Sequence, residues 1–195
     1  MKSVLIAIRP QCVEKIARGE KTIEVRKSAP QEVPFKAYIY CCKAKPYLYK
    51  EANPPFELFL DSELYKGNGY DDRLFSGKVI GEFICDKVER LEEHIEQGGL
   101  YYILSDTFNE QAQLDNWELH DYGKGKTLYG WHISDLKIYD KPRELSEFSR
   151  PCSYSGLCFS CKRTSFKKDG NLLCNTKITR PPQSWMHVED LGEEK

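Results

Sequence analysis

The run Gly19-Glu20-Lys21-Thr22-Ile23-Glu24-Val25-Arg26 sets a lysine, a glutamate and an arginine within one turn and the strand that follows it. Charges beside an apolar strand are costly to desolvate unless they pair with one another or hold a ligand. As a binding pocket, Lys21 and Arg26 would engage phosphate or carbonyl oxygens, Arg26 by a two-pronged contact. Glu24 would accept from an exocyclic amine, as glutamate does from cytosine. As a hydrolytic site, a desolvated Lys21 near Arg26 would act as base, with Glu24 or Glu82 handling protons. The plainer alternative is a solvated strand of ion pairs, each worth roughly 0–1 kcal/mol. Arg9, Tyr38, Tyr40, Lys43, Glu82 and Trp131 are further groups that could converge on the same wall. Tyr40 or Trp131 would stack on a base for about 1–3 kcal/mol, although a tryptophan in an alternating strand is more often core.

The chain has eight cysteines, and they divide in two. Cys12, Cys41, Cys42 and Cys85 lie in apolar patterns and read as small buried hydrophobes. Cys152, Cys158, Cys161 and Cys174 crowd a polar, turn-rich stretch with one C-x2-C knuckle. Four soft thiolates suit a structural Zn²⁺, and a stretch this polar lacks the apolar surface to fold alone. Four thiolates leave no open position, so the expected zinc is structural. Unpaired thiols, an iron–sulfur centre and disulfide chemistry are the alternatives. Phe166–Asn171 reads as a hairpin turn that returns Cys174 toward Cys161. Lys162, Arg163, Lys167 and Lys168 make this stretch locally basic. His94, His120, His132 and His187 show no metal-ligand spacing, and neither a glycine-rich phosphate loop nor a Ser–His–Asp arrangement is present.

The elements that must position these groups follow from pattern. Val4–Ile8 is a continuous apolar run, expected of a strand covered on both faces. Pro10 suits the first position of a helix, Cys12, Val13, Ile16 and Ala17 recur at helical spacing, and Gly19 supplies the stop. In the strand after it, Ile23 and Val25 face one way while Thr22, Glu24 and Arg26 face the other. That parity predicts a core face and a cleft wall. Phe35–Cys42 is a further strand, and residues 43–76, rich in proline and glycine, read as a long loop or excursion. Lys78–Cys85 is a strand with a bulge at Gly81. Thr107 and Glu110 form a candidate capping box for one helix running through Trp117 and Leu119 to Gly123. Thr127–Ile133 and Leu136–Tyr139 close the strand list.

With 195 residues, 40% hydrophobic and 30% charged, the chain fits one domain plus an appendage. A formal net charge of −1, from 29 basic and 30 acidic side chains, argues against nonspecific coating of duplex DNA. No apolar run approaches the roughly 18 residues of a membrane span, and Val4–Ile8 is too short for a signal peptide. A cytoplasmic protein is expected.

The pattern G-x-K-x-x-E-x-R, carried by Gly19, Lys21, Glu24 and Arg26, resembles the signature of the ASCH domain in the PUA-like group. The preceding strand and helix, and Gly130-Trp131-His132-Ile133 later, extend the resemblance over about residues 1–140. It implies an α+β fold: a PUA-like mixed β-barrel flanked by short helices. The resemblance does not cover residues 141–195, which are expected from their cysteines to form a small, zinc-bound extension packing on the barrel. Similar tails accompany such barrels in bacterial and prophage proteins, and Trp185 is expected to anchor this one. The implied function is recognition of RNA or a nucleotide-like ligand in the Lys21/Glu24/Arg26 cleft. One branch of the family resembles acetylcytidine amidohydrolases and others are associated with ribonuclease action. That amidohydrolase branch has a threonine three residues after the lysine, where this chain has Glu24; Thr22 is the only nearby hydroxyl. A protein-interaction adaptor is the remaining alternative.

Overall fold

Val4, Leu5, Ile6 and Ile8 are all buried, as a strand with apolar residues of both parities must be when each face meets a different layer. In the computed structural model, which describes residues 1–55, 57–67, 69, 71–96, 99–105, 107–152, 164–166, 172–174 and 176–192, this strand is β1 (Lys2–Ile8). It is followed by α1 (Pro10–Ala17), β2 (Ile23–Arg26), β3 (Phe35–Cys41), β4 (Tyr47–Lys50), β5 (Leu58–Asp61), β6 (Val79–Cys85), β7 (Val88–Glu96) and β8 (Gly99–Ile103). Then come α2 (Phe108–Ala112), α3 (Asn116–Gly123), β9 (Leu128–His132), β10 (Ser134–Arg143), β11 (Thr164–Phe166), β12 (Leu172–Cys174) and β13 (Trp185–Val188).

One sheet has the order β10-β6-β3-β1-β13, with β1 parallel to β3 and the other pairings antiparallel. A second has the order β2-β9-β7-β8. The sheets join where β6 passes into β7 and β9 into β10, so their inner faces close on one another. Val4, Ile6, Ile8, Ala37, Ile39, Phe83 and Trp131 fill that interior with Val13 and Ile16 of α1. Trp131 meets Phe35 edge-on, ring centroids 5.0 Å apart at 82°. The outer face of the first sheet (Leu5, Ala7, Tyr38, Tyr40) is covered by Phe148 and Ile178. The outer face of the second (Ile23, Val25, Leu91, Leu128) is covered by Phe108, Ala112 and Leu119. Each large apolar side chain so enclosed is worth about 1.5–3 kcal/mol.

Three sequence expectations need correction. Residues 43–76 are not a loop throughout. β4 and β5 pair as a hairpin, and Leu48, Tyr49, Leu58 and Phe75 are buried; apolar side chains between the prolines supply a layer that packs beside α1. The single helix from Thr107 to Gly123 is two, because Gln113 takes the left-handed conformation at φ 51°. Thr107 does not cap; the reciprocal box is Asp115 with Glu118. Finally, β7 and β8 were not anticipated, since charges at Glu89, Arg90, Glu92 and Glu93 mask the alternation of an edge pair. At Gly81 the glycine has a steric reason: an added Cβ would lie 2.5 Å from the Lys137 carbonyl oxygen. The Phe166–Asn171 turn lies partly outside the described residues, while β11 and β12 on either side of it pair antiparallel, Thr164 opposite Cys174.

Candidate functional site

Helix α1 begins as its sequence requires, with Arg9 extended ahead of it and Pro10 in the first turn. It stops at Gly19, whose φ of 75° suits a residue without Cβ. The Glu20 and Lys21 amides both donate to the Lys15 carbonyl, which turns the chain sharply into β2. β2 pairs with β9 so that Glu24 lies opposite Trp131 and Arg26 opposite Tyr129. Ile23 and Val25 go under α2 and α3, and by the pleat Glu24 and Arg26 turn into the barrel.

The face expected to form a cleft wall is itself covered. Both faces of β2 are enclosed: Lys21, Glu24 and Arg26 are only 2, 5 and 9% exposed. Glu24 bridges the two cations, Oε1 lying 2.9 Å from Arg26 Nη2 and Oε2 3.5 Å from Lys21 Nζ. Arg26 Nη2 also donates to the Ala7 carbonyl at 2.7 Å, and Lys21 Nζ donates to the Ala112 carbonyl at the end of α2. Among the described residues, Glu24 Oε2 and Arg26 Nε have no hydrogen-bond partner. Two cations and one anion leave the recess net positive, and the low dielectric of an interior amplifies that charge. Glu24 Oε2 thus has only the longer ion pair to Lys21, and Arg26 Nε has no acceptor.

Two thiols border the triad. Burial pushes the Cys12 thiol up, with the Glu24 carboxylate adding to the effect against Lys21 and Arg26. Burial also raises Cys42, opposed by the nearby Arg26 and Arg9 guanidiniums. Arg9 is exposed and so stands outside the recess on the Arg26 side. Arg26 is the most accessible of the three charged groups, so a ligand would enter from that end.

Other sequence candidates lie elsewhere. Tyr40 is 6% exposed in the outer layer with Leu5, Ala7 and Tyr38, on the face of the sheet away from Ile39. Glu82 also faces outward; it accepts from the Tyr139 hydroxyl at 2.6 Å and lies 4.0 Å from Lys36 Nζ. Those side chains line an open groove of ≈ 1030 Å³, together with Tyr38 and Arg143. Trp131 is next to Glu24 but fully buried, its ring enclosed by Phe35 and Trp185. A base could stack on it only if the core opened. Sequence reasoning also missed the Ala7 and Ala112 carbonyls, since a backbone acceptor leaves no trace in residue type.

Of the four C-terminal cysteines, Cys158 and Cys161 lie outside the described residues, and Cys152 is exposed and free. Among the described residues no cluster of three or more His, Cys, Asp or Glu side chains is arranged to hold a metal.

The architecture can be placed among known structures. It matches the crystal structure of an ASCH protein from Zymomonas mobilis at 14% identity, covering 96% of this chain and 88% of that one with a TM-score of 0.51. A single-residue variant of the same protein matches at 14% identity, over 96% and 89%, with a TM-score of 0.50. No family model and no curated protein matches the sequence. The chain thus has an ASCH fold, a PUA-like α+β arrangement. At this identity the likeness speaks for the fold alone. No helix among the described residues is long and apolar enough to cross a membrane.

Proposed function

We propose that this protein binds RNA or a nucleotide-like small molecule, with the ligand's polar edge at Lys21, Glu24 and Arg26. The observation that supports this most is the incomplete pairing of two buried atoms: Glu24 Oε2, held only by its 3.5 Å ion pair to Lys21, and Arg26 Nε, without an acceptor. An unpaired buried polar atom costs about 1–3 kcal/mol. A ligand that presents an amine beside an acceptor recovers that loss at both atoms. A phosphate follows naturally at the mouth, between Arg26 and the exposed Arg9, where charge-assisted contacts are strongest. The solved ASCH structures add the fold as context.

The test is a thermal-shift and equilibrium-binding screen over nucleosides, nucleotides and short RNAs. Wild type should bind at least one class without converting it, and Lys21→Ala and Arg26→Ala should each weaken binding about tenfold or more. Wild-type binding that both variants retain would overturn the assignment. Hydrolysis is the second reading, favoured by the Lys21–Glu24 pair at 3.5 Å in a site shielded from water. It requires product from an acylated nucleoside or labelled RNA, abolished by Glu24→Gln. Recovery of a protein partner without ligand binding or turnover would instead favour an adaptor. For the extension, a structural zinc held by Cys152, Cys158, Cys161 and Cys174 is proposed from their thiol chemistry and spacing alone.

A further inference from the structure

The C-terminal tail closes on the mouth of the recess from two directions. Ser184 accepts from the Ala7 amide at 2.9 Å, and the carbonyl of that same Ala7 is the one that Arg26 Nη2 holds at 2.7 Å. An N–H and a C=O of one strand residue point to the same side. The Arg26 guanidinium therefore occupies the edge of β1 directly beyond Ser184. From the other direction, Trp185 Nε1 donates to Ser28 Oγ at 3.0 Å, two residues after Arg26 on the same chain segment. Trp185 opposes Ile6 in the ladder and meets Trp131 at 5.6 Å and 66°. Trp131 is sealed, but Trp185 in front of it is half-buried, with the His187 ring perpendicular to its indole at 5.3 Å. The recess thus has Trp131 behind Glu24, Arg26 at its entrance, and a half-buried indole beside Arg26 that comes from the far end of the chain.

We infer that Trp185 is the stacking residue of the ligand site: the ring of a nucleotide lies on its indole while the ring's polar edge reaches Glu24 and Arg26. This rests on the triad being a ligand site and narrows the ligand to an aromatic heterocycle bearing phosphate. Base stacking on an aromatic side chain is tolerant of base identity, so Trp185 supplies affinity and the triad supplies discrimination. The Arg9 guanidinium, which makes no hydrogen bond or ion pair among the described residues, is left to meet the phosphate. A site completed by the tail also explains why a barrel alone, residues 1–140, would present Arg26 without its wall.

The experiment uses the full chain with adenosine, cytidine, guanosine and uridine 5′-monophosphates as probes and ribose 5-phosphate as the ring-free control. Trp185→Ala should weaken the best nucleotide about 5- to 150-fold and leave ribose 5-phosphate unchanged, while Trp185→Phe stays within about threefold of wild type. In a Trp117→Phe background, which removes the exposed tryptophan, the same nucleotide should quench emission and ribose 5-phosphate should not. If Trp185→Ala fails to fold, the phenylalanine variant and the quenching decide. Nucleotide binding that depends on Arg26 but is indifferent to Trp185, with no quenching, overturns this inference and leaves the triad assignment standing. If no nucleotide binds wild type, both fall together.

Discussion

Replacing Glu24 by glutamine tests whether the triad is an enclosed ion network or a solvated one. The side chain keeps its size and loses only its charge, so the packing around Trp131 is preserved. What remains is Lys21 and Arg26, 2 and 9% exposed, each with one backbone carbonyl and no counter-charge between them. Removing one partner of a buried ion pair typically costs about 3–5 kcal/mol. For a chain of this size each kcal/mol moves the melting temperature by about 2–4 °C, so the expected fall is roughly 6–20 °C. The internal control is Lys2→Ala, which breaks a pair whose side chains are 59 and 68% exposed and should cost no more than about 1 kcal/mol. Chemical denaturation followed by circular dichroism gives both values on one scale. If Glu24→Gln costs no more than the Lys2 variant, the recess is open to water and the argument from incomplete pairing fails. A nucleotide that binds through Glu24 should also raise the melting temperature of wild type more than that of the variant, by mass action.

Other expectations follow from particular contacts. Gly81→Ala places a methyl 2.5 Å from the Lys137 carbonyl and 3.1 Å from Ile138 Cδ1, so β10 must move. A loss of about 1–3 kcal/mol is expected, and an unchanged melting curve would refute the close approach. Asp190 carries a carboxyl that burial alone would raise, but hydrogen bonds from Tyr38 and Lys36 hold it below its ordinary value. Its contribution is therefore present above the unfolded value near 3.9 and fades as pH falls below about 4. The gap in stability between wild type and Asp190→Asn should narrow over that range; a gap constant from pH 7 to pH 3 would count against the shift. For the proposed zinc, protein purified without chelators should carry close to one equivalent by elemental analysis, and Cys161→Ser should release it. Less than about 0.3 equivalents in wild type would remove the assignment.

Local order was legible in the residues. An apolar run, a proline at a helix start, a glycine stop and a period of two placed Lys21, Glu24 and Arg26 on one turn and strand, because those signals act over a few residues. Trp185 stood out in a polar tail as an anchor for the same reason. What the charges would face was decided elsewhere. Whether Ile23 and Val25 or Glu24 and Arg26 line an interior depends on what covers each face of β2, and the cover is α2 and α3 outside and β1 inside, distant in sequence. The same holds for Tyr40 and Glu82, which parity alone leaves free to face either side until Phe148 and Ile178 cover the outer layer over Tyr40. The partners that finish the triad, the carbonyls of Ala7 and Ala112, belong to every residue type alike, so only the folded chain could select them. Sequence determines which groups travel together along the chain; burial, which sets the electrostatic value of a charge, is a property of all the layers at once.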